Sequence, residues 1–144
     1  MGRRREGREA AVQFLYCHEI NQVALGQESL DSFFSLRNAS ASVREFATEL
    51  IRGVLAALPE IDPVLDRIAE NYELNRLSAV DRNILRLAIY EMLHVEAIPP
   101  VVSINEAIEI AKRFGTEESG RFVNGILDRL RKELPAPARR VPKP

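Results

Sequence analysis

The chain has 144 residues, enough for one domain with a buried core, and its 46% hydrophobic and 28% charged residues are typical of globular proteins. The formal net charge is only −1, although four of the first eight residues are arginines. No apolar run reaches the roughly 20 residues of a membrane span, no signal pattern is present, and the single Cys17 allows no internal disulfide, so we expect a cytoplasmic protein.

The first part of the chain is predicted to be helical, because its apolar residues recur at spacings of three and four and do not alternate. A first helix should cover about 4–20, and after Gly26 a short helix should cover about 30–36. The sequence SVRE at Ser42–Glu45 has the pattern of a capping box, in which serine and glutamate each satisfy an amide of the first turn. It predicts the start of a third helix.

Two prolines interrupt the helical pattern that follows. Pro59 should end the third helix, because proline removes a helix hydrogen bond and clashes with the preceding turn. Pro63 suits the first turn of a fourth helix, which should reach about residue 71. The interval between the prolines would then separate two helical subdomains that share one interface.

Three further helices are predicted in the second half of the chain. SAVD at Ser78–Asp81 is an aspartate version of the helix cap, and the prolines of AIPP at 97–100 should end that helix. SINE at Ser103–Glu106 is a third capping box, and Gly115 suits the C-terminal end of the helix that it begins. The last helix should end before Pro135.

About seven helices with short connections predict an all-α fold. We expect the folded domain to cover residues 1–134. The final ten residues, PAPARRVPKP at 135–144, are rich in proline and poor in apolar residues, which predicts a disordered basic tail.

Arginines are concentrated at the start of the first helix, at Arg3, Arg4, Arg5 and Arg8. On a helical wheel, Arg4 and Arg8 lie on the same face as the apolar Leu15. Arginine is rarely buried without a partner, so these side chains should project beyond the core or line a groove. Because guanidinium groups bind phosphate and stack on unpaired bases, the cluster is either a surface for an anionic polymer or a solvated chain end.

Two other segments place arginine near an aromatic residue. Arg82, Arg86 and Tyr90 follow one another at steps of four along one helix, either as a basic stripe or as a solvated face opposite the core. Arg121 and Phe122 lie at the start of the last helix, and a helix N-terminus attracts phosphate. Phe122 is therefore either a stacking platform or a core residue.

No pattern in the sequence points to catalysis. The two histidines, His18 and His94, have no nucleophile, metal ligand or acid–base partner at a recognised spacing, and the glycines form no phosphate-binding loop. We therefore expect no enzymatic activity, no cofactor and no metal site.

Three segments together resemble the NusB family of bacterial transcription antitermination proteins: RRREGREAAVQFLY, VDRNILRLAIYEM and PPVVSINEAIEIAKRFGTEESGRFVNGILDRL. The resemblance covers about Arg3 to Leu130 and implies two small helical bundles packed together. It implies binding of single-stranded boxA RNA from ribosomal RNA leaders together with ribosomal protein NusE, in a complex that helps RNA polymerase read through terminators. It also implies no cofactor and no membrane, and some family members form homodimers when free of RNA.

The resemblance and the arginine patterns together predict the binding residues. A single RNA strand could touch both arginine-containing ends if the start of the first helix lies beside the start of the last. Asp81 matches an acidic position that meets NusE, although it also belongs to a helix cap and could serve either role or both. The predicted RNA-binding residues are Arg3, Arg4, Arg5, Arg8, Arg82, Arg86, Arg121 and Phe122, and the predicted NusE-binding residues are Leu77, Asp81, Ile84 and Glu91.

Two other functions are compatible with the same residues. NusB-like domains also precede RNA methyltransferase domains, but this chain has no glycine-rich cofactor loop. Alternatively, the chain is a helical scaffold that binds protein and not RNA, in which case the arginine cluster is solvated and can be substituted.

Overall fold

The computed structural model describes residues 2–22, 24–70 and 77–134, and every regular element in these ranges is an α-helix, as predicted. No helix in these ranges is both long enough and apolar enough to cross a membrane. The disordered tail predicted at 135–144 lies outside the described residues. The helices are α1 (Gly2–Asn21), α2 (Gln27–Arg37), α3 (Ala41–Ile68), α4 (Ala79–His94), α5 (Pro100–Phe114) and α6 (Ser119–Glu133).

The described ranges contain six helices rather than about seven because α3 continues through both Pro59 and Pro63. The prediction of a break between them was therefore wrong. Both prolines lie on the exposed side of α3, while Ile61 and Leu65 are buried on the other side. A proline inside a helix costs about 3 kcal/mol, but burial of a continuous apolar stripe outweighs that local preference here. The predicted helix end near residue 71 lies outside the described residues.

One of the three predicted caps is correct and one is displaced by two residues. Ser78 caps α4, its hydroxyl accepting a hydrogen bond from the amide of Asp81 at 3.0 Å. The cap of α3 is Ser40, which accepts from the amide of Val43 at 3.3 Å, and not Ser42. Serines two residues apart offer the same local chemistry, so tertiary packing decides which one begins the helix.

The third predicted cap is wrong because α5 begins earlier, at Pro100. Proline suits the first helical position, where its missing amide hydrogen needs no partner. Ser103 and Glu106 consequently lie inside α5. Ser103 donates to a carboxylate of Glu91 on α4 rather than closing a helix end.

The helices form two packed groups, as the family resemblance implied. In the first group α1 packs across α3, and α2 is attached by the edge-on contact of Phe14 with Phe33, at 5.4 Å between ring centres. In the second group α5 and α6 pack on each other and on α4. Helix α4 also packs against α1 and α3, so one continuous apolar core joins both groups.

Ion pairs show how the helices are oriented. Arg8 near the start of α1 pairs with Glu91 near the end of α4, while Glu19 near the end of α1 pairs with Arg82 near the start of α4. Helices α1 and α4 are therefore antiparallel. The arginine-rich start of α1 lies near the first half of α5, where Arg5 pairs with Glu106, and the start of α6 packs against the second half of α5, with Gly120 beside Ile108 and Lys112.

Candidate nucleic-acid interface

The start of α1 presents two arginines to solvent. Arg3 and Arg4 are exposed, and the guanidinium carbon of Arg4 lies 4.3 Å from the centre of the Phe46 ring on α3. Residue 7 is a glycine, and a Cβ atom there would lie 2.6 Å from Cδ2 of Phe46. Gly7 therefore lets α1 approach α3 closely, and the aromatic ring orients Arg4 without neutralising its charge.

Arg5 is half-exposed and already pairs with a carboxylate. Its Nε and Nη2 atoms donate to Oε1 and Oε2 of Glu106 at 3.0 and 2.8 Å. This pairing raises the pKa of Arg5 and, despite partial burial, holds the pKa of Glu106 below its usual value. The side chain of Arg5 is still 41% exposed, and its Nη1 atom donates to no acceptor in the described ranges.

Arg8 is buried, with 5% of its surface exposed. Its Nε and Nη2 atoms donate to the two carboxylate oxygens of Glu91 at 2.7 and 3.2 Å, and Nη1 lies 3.6 Å from Glu106. Glu91 also accepts from Ser103 at 2.7 Å. This cluster joins α1, α4 and α5 beneath the surface. The RNA contact predicted for Arg8 stays untested, but its geometry is that of a residue that positions α1.

Arg82 and Arg86 belong to a second network, at the other end of α1. Arg82 Nε donates to Glu19 at 2.9 Å, as does Asn83 at 3.0 Å. Arg86 donates to Glu19 at 2.8 Å and binds both oxygens of Asp62, at 2.9 and 3.1 Å. The predicted basic stripe is therefore paired with carboxylates and connects α1, α3 and α4. Its role in RNA binding stays a prediction.

The carboxylate at the centre of that network is Glu19, which accepts hydrogen bonds from Arg82, Asn83 and Arg86. Burial alone would raise the pKa of Glu19, but hydrogen bonds from Arg82 and Asn83 and the nearby guanidinium charges hold this pKa below its usual value. Glu19 is therefore stabilised in its charged form in the folded protein.

Replacing Glu19 by glutamine should lower the free energy of unfolding by about 1–3 kcal/mol at neutral pH, because hydrogen bonds to charged groups are lost. The folded pKa of Glu19 lies below the unfolded value of about 4.3. The stabilisation is therefore full above that value and is lost as the pH falls through the folded pKa. Urea unfolding should show a clear difference between wild type and Glu19→Gln near neutral pH and a smaller one under acid conditions.

The matched control for this prediction is Glu117→Gln. Glu117 is exposed and makes no ion pair with any residue of the described ranges. Its replacement should change stability by less than about 0.5 kcal/mol at either pH. If the difference in free energy of unfolding between wild type and Glu19→Gln were equally large at neutral and acid pH, the carboxylate charge of Glu19 would not be its cause.

The first turn of α6 is held by buried polar contacts. Ser119 accepts a hydrogen bond from the Thr116 amide at 2.9 Å and donates to Oδ2 of Asp81 at 3.2 Å. Arg121, two residues further on, is exposed and has no ion pair within the described part of the chain. Phe122 is half-buried and packs against the core.

Three of the four predicted NusE-binding residues are inside the protein. Leu77 and Ile84 belong to the apolar core, and Glu91, at 1% exposure, binds Arg8. In this conformation they offer no surface to a partner, because each is covered by neighbouring helices. Asp81 is 9% exposed, and its Oδ1 atom is buried without a hydrogen-bond partner in the described ranges. It joins α4 to α6, which supports a structural role.

The two arginine-containing ends both pack on α5. Arg5 contacts Glu106 in the first half of α5, whereas the start of α6 lies against its second half, where a Cβ atom at Gly120 would be 3.5 Å from Ile108 and 3.4 Å from Lys112. A strand that touches both ends would therefore pass along α5.

Neither a metal ion nor an isolated phosphate has an obvious pocket here. Within the described ranges, no group of three histidine, cysteine or acidic residues could hold a metal ion. An open cavity of about 540 Å³ lies beside Arg4 and is walled by Phe46 and Tyr90, but Glu49 and Glu106 also line it. Its mixed charge does not favour a single anion.

The acidic partners of the arginines were missed by the sequence analysis. Glu19, Glu91 and Glu106 decide which arginines face solvent, and none was singled out for that role. One signal was present: Glu91 falls seven residues after Ile84, on the apolar face of its helix. An acid on a core-facing stripe needs a cationic partner, and Arg8 occupies the corresponding face of α1.

Comparisons with known proteins agree with this architecture. The NusB family model matches residues 5–132. The transcription antitermination protein NusB of Desulforapulum autotrophicum is 46% identical over 133 residues, covering 91% of this chain and 92% of the relative. The protein of the same name from Myxococcus xanthus is 45% identical over 141 residues, covering 95% of this chain and all of the relative.

Solved structures show the same similarity. The chain superposes on T. maritima NusB with a TM-score of 0.80 at 45% identity, covering 95% of each chain. It superposes on a chain from the crystal structure of antitermination factors NusB and NusE in complex with dsRNA, with a TM-score of 0.82 at 25% identity, covering 93% of this chain and 99% of the other. The helical architecture, the matched residues and the relatives aligned over nearly their full length together establish that this chain belongs to the NusB family.

Proposed function

We propose that this chain is a cytoplasmic transcription antitermination factor without enzymatic activity, which binds boxA RNA of ribosomal RNA leaders together with ribosomal protein NusE. In this role it helps RNA polymerase read through terminators. Its relatives carry the name transcription antitermination protein, and a similar solved structure contains NusB, NusE and dsRNA. Residues 1–134 form the RNA-binding domain in this proposal, residues 135–144 a disordered basic tail, and RNA-free homodimers stay a prediction.

The observation that carries the proposal is the exposure of three predicted arginines. Arg3, Arg4 and Arg121 are exposed, and none has a carboxylate partner among the described residues. They offer full positive charges to phosphates, whereas Arg8, Arg82 and Arg86 are paired with acids. In this proposal the half-buried Phe122 supplies an aromatic contact to a base. Unpaired RNA should be preferred, because the narrow major groove of an RNA duplex hides its base edges.

The proposal is tested by filter binding of boxA-like, scrambled and duplex RNA over a series of salt concentrations, with and without NusE. Replacing Arg3, Arg4 and Arg121 together by glutamine should weaken RNA binding and reduce the salt dependence by about 0.7 in logarithmic slope for each lost phosphate contact. NusE should strengthen the binding of boxA-like RNA more than that of scrambled RNA.

The matched control variant removes three positive charges from a different surface. Arg67, Arg131 and Lys132 lie near the C-terminal ends of α3 and α6, away from the proposed interface. Their joint replacement by glutamine should leave the salt slope unchanged. An unchanged slope in the Arg3, Arg4 and Arg121 variant would instead favour the scaffold function, and equal binding of duplex and single-stranded RNA would contradict the proposed preference.

A further inference from the structure

We propose that Arg113, at the end of α5, binds a backbone phosphate of a single RNA strand that runs from Arg4 to Arg121. This inference rests on the proposed RNA-binding function and adds a residue that neither the motifs nor the family resemblance singled out. It identifies a cationic group on α5, the helix against which both ends of the interface pack.

The position of Arg113 follows from its partner on α1. Its Nη1 atom donates to Oε1 and Oε2 of Glu9 at 2.8 and 3.0 Å. Glu9 lies one helical turn after Arg5, which itself binds Glu106 on α5. The Arg5–Glu106 and Arg113–Glu9 ion pairs therefore connect α1 and α5 at successive positions along the two helices. The Arg113 pair is the one nearer to the start of α6.

The donors of Arg113 are available to a ligand. Both hydrogen bonds to Glu9 come from Nη1 alone, so Nε and Nη2 have no acceptor within the described ranges. A guanidinium group has five N–H donors in a planar fork, and the three donors on Nε and Nη2 suit a phosphate. Arg8, by contrast, directs Nε and Nη2 at the buried Glu91 carboxylate, and its Nη1 lies 3.6 Å from the partly buried Glu106.

The surroundings hold Arg113 in place while leaving it accessible. Its side chain is 65% exposed, whereas the Glu9 carboxylate below it is buried. The guanidinium carbon also lies 5.3 Å from the centre of the Phe114 ring. A guanidinium group anchored from below by an acid and an aromatic ring loses little side-chain freedom when it binds a phosphate.

The path of the strand along α5 favours a phosphate contact in this region. Each nucleotide of an unpaired strand carries one phosphate, so a strand that lies along α5 brings phosphates within reach of its exposed cations. The next turn carries the exposed acids Glu117 and Glu118, which repel phosphate. A strand that leaves Arg5 is therefore expected to pass over Arg113 before it reaches Arg121.

The test compares Arg113→Gln, Arg113→Lys and Glu9→Gln in the full chain, by filter binding of single-stranded boxA-like RNA over a salt series. Arg113→Gln should weaken binding about three- to tenfold and reduce the logarithmic salt slope by about 0.7. Arg113→Lys should retain the slope, because the charge is kept. Arg131→Gln, at an exposed arginine on the C-terminal half of α6, is the matched control and should bind as wild type does.

Glu9→Gln separates phosphate binding from a merely structural role. Both Arg113→Gln and Glu9→Gln remove the ion pair, so equal losses of RNA affinity would overturn the proposal. We expect Glu9→Gln to bind RNA as well as wild type or better, because it removes a negative charge. Thermal unfolding of each variant verifies that the fold is intact.

The outcomes also distinguish this inference from the proposed function. If Arg113→Gln binds as wild type does while the Arg3, Arg4 and Arg121 variant loses affinity, Arg113 is not a contact and the proposed function stands. If the wild-type chain binds no RNA with or without NusE, both proposals fail.

Discussion

Replacing Arg8 by alanine is expected to lower the free energy of unfolding by about 3–5 kcal/mol, because it leaves a buried carboxylate without its cation. Glu91 is almost completely enclosed, and both of its charge-assisted hydrogen bonds come from Arg8. Ser103 alone cannot compensate its charge. Urea unfolding at neutral pH measures the effect directly.

Two further variants show whether loss of the buried Arg8–Glu91 ion pair causes the expected destabilisation. Arg4→Ala removes an exposed arginine one turn earlier and should cost less than about 1 kcal/mol. The double variant Arg8→Met, Glu91→Leu removes both charges and should recover more than half of the loss, because an apolar pair leaves no uncompensated charge. A loss below about 1 kcal/mol for Arg8→Ala would contradict the structural role assigned to the pair.

This prediction changes how RNA-binding data on the arginine cluster should be interpreted. Arg8 and Arg4 are one turn apart and look equivalent on a helical wheel, yet one is buried and the other exposed. Weaker RNA binding by an Arg8 variant would partly reflect a displaced α1. Variants of Arg3, Arg4 and Arg121 are therefore the direct test of phosphate contacts.

Asp81→Lys should destabilise the fold by about 3 kcal/mol. The substitution loses the hydrogen bond from Ser119, worth about 1 kcal/mol, and places a cation in the first turn of α4, where the helix dipole favours an anion. It also forces a longer side chain into a packed site, which typically costs 1–3 kcal/mol. Urea unfolding measures the change, and NusE binding should be compared only at a temperature where the variant is folded.

Asp81→Asn is the isosteric control. Its amide oxygen can still accept from Ser119, and its amide nitrogen takes the place of an oxygen that has no donor in the described structure. We expect its stability to lie within about 1 kcal/mol of wild type. If Asp81→Lys proved as stable as wild type while NusE binding fell, Asp81 would be a surface contact rather than a buried link between α4 and α6.

The helices themselves could be predicted because their signals are local. Apolar spacing located the helices of the described ranges, and the cap at Ser78 was correct because its partner amide is three residues away. The continuous α3 could not be predicted from local rules. Pro59 and Pro63 argue for a break, and only the packing of Ile61 and Leu65 against other helices explains why none occurs.

The sequence located the candidate arginines but not their arrangement. The partners that bury Arg8 and engage Arg5 are 83 and 101 residues away in the sequence. No local pattern encodes such pairings, and charge alone does not distinguish a paired arginine from a free one. The same limit applies to Arg113, whose role depends on Glu9, 104 residues earlier.

The sequence by itself determined that this protein is all-α, that it belongs to the NusB family and that arginines are concentrated at the start of its first helix. These properties follow from periodicity, local caps and matching segments. Only the tertiary structure decided that α3 is one helix, that Arg3, Arg4 and Arg121 keep their charges available, and that Arg8, Arg82 and Arg86 do not. The reason is physical: whether a guanidinium group is available depends on the carboxylates that distant helices bring to it, and those contacts exist only after packing.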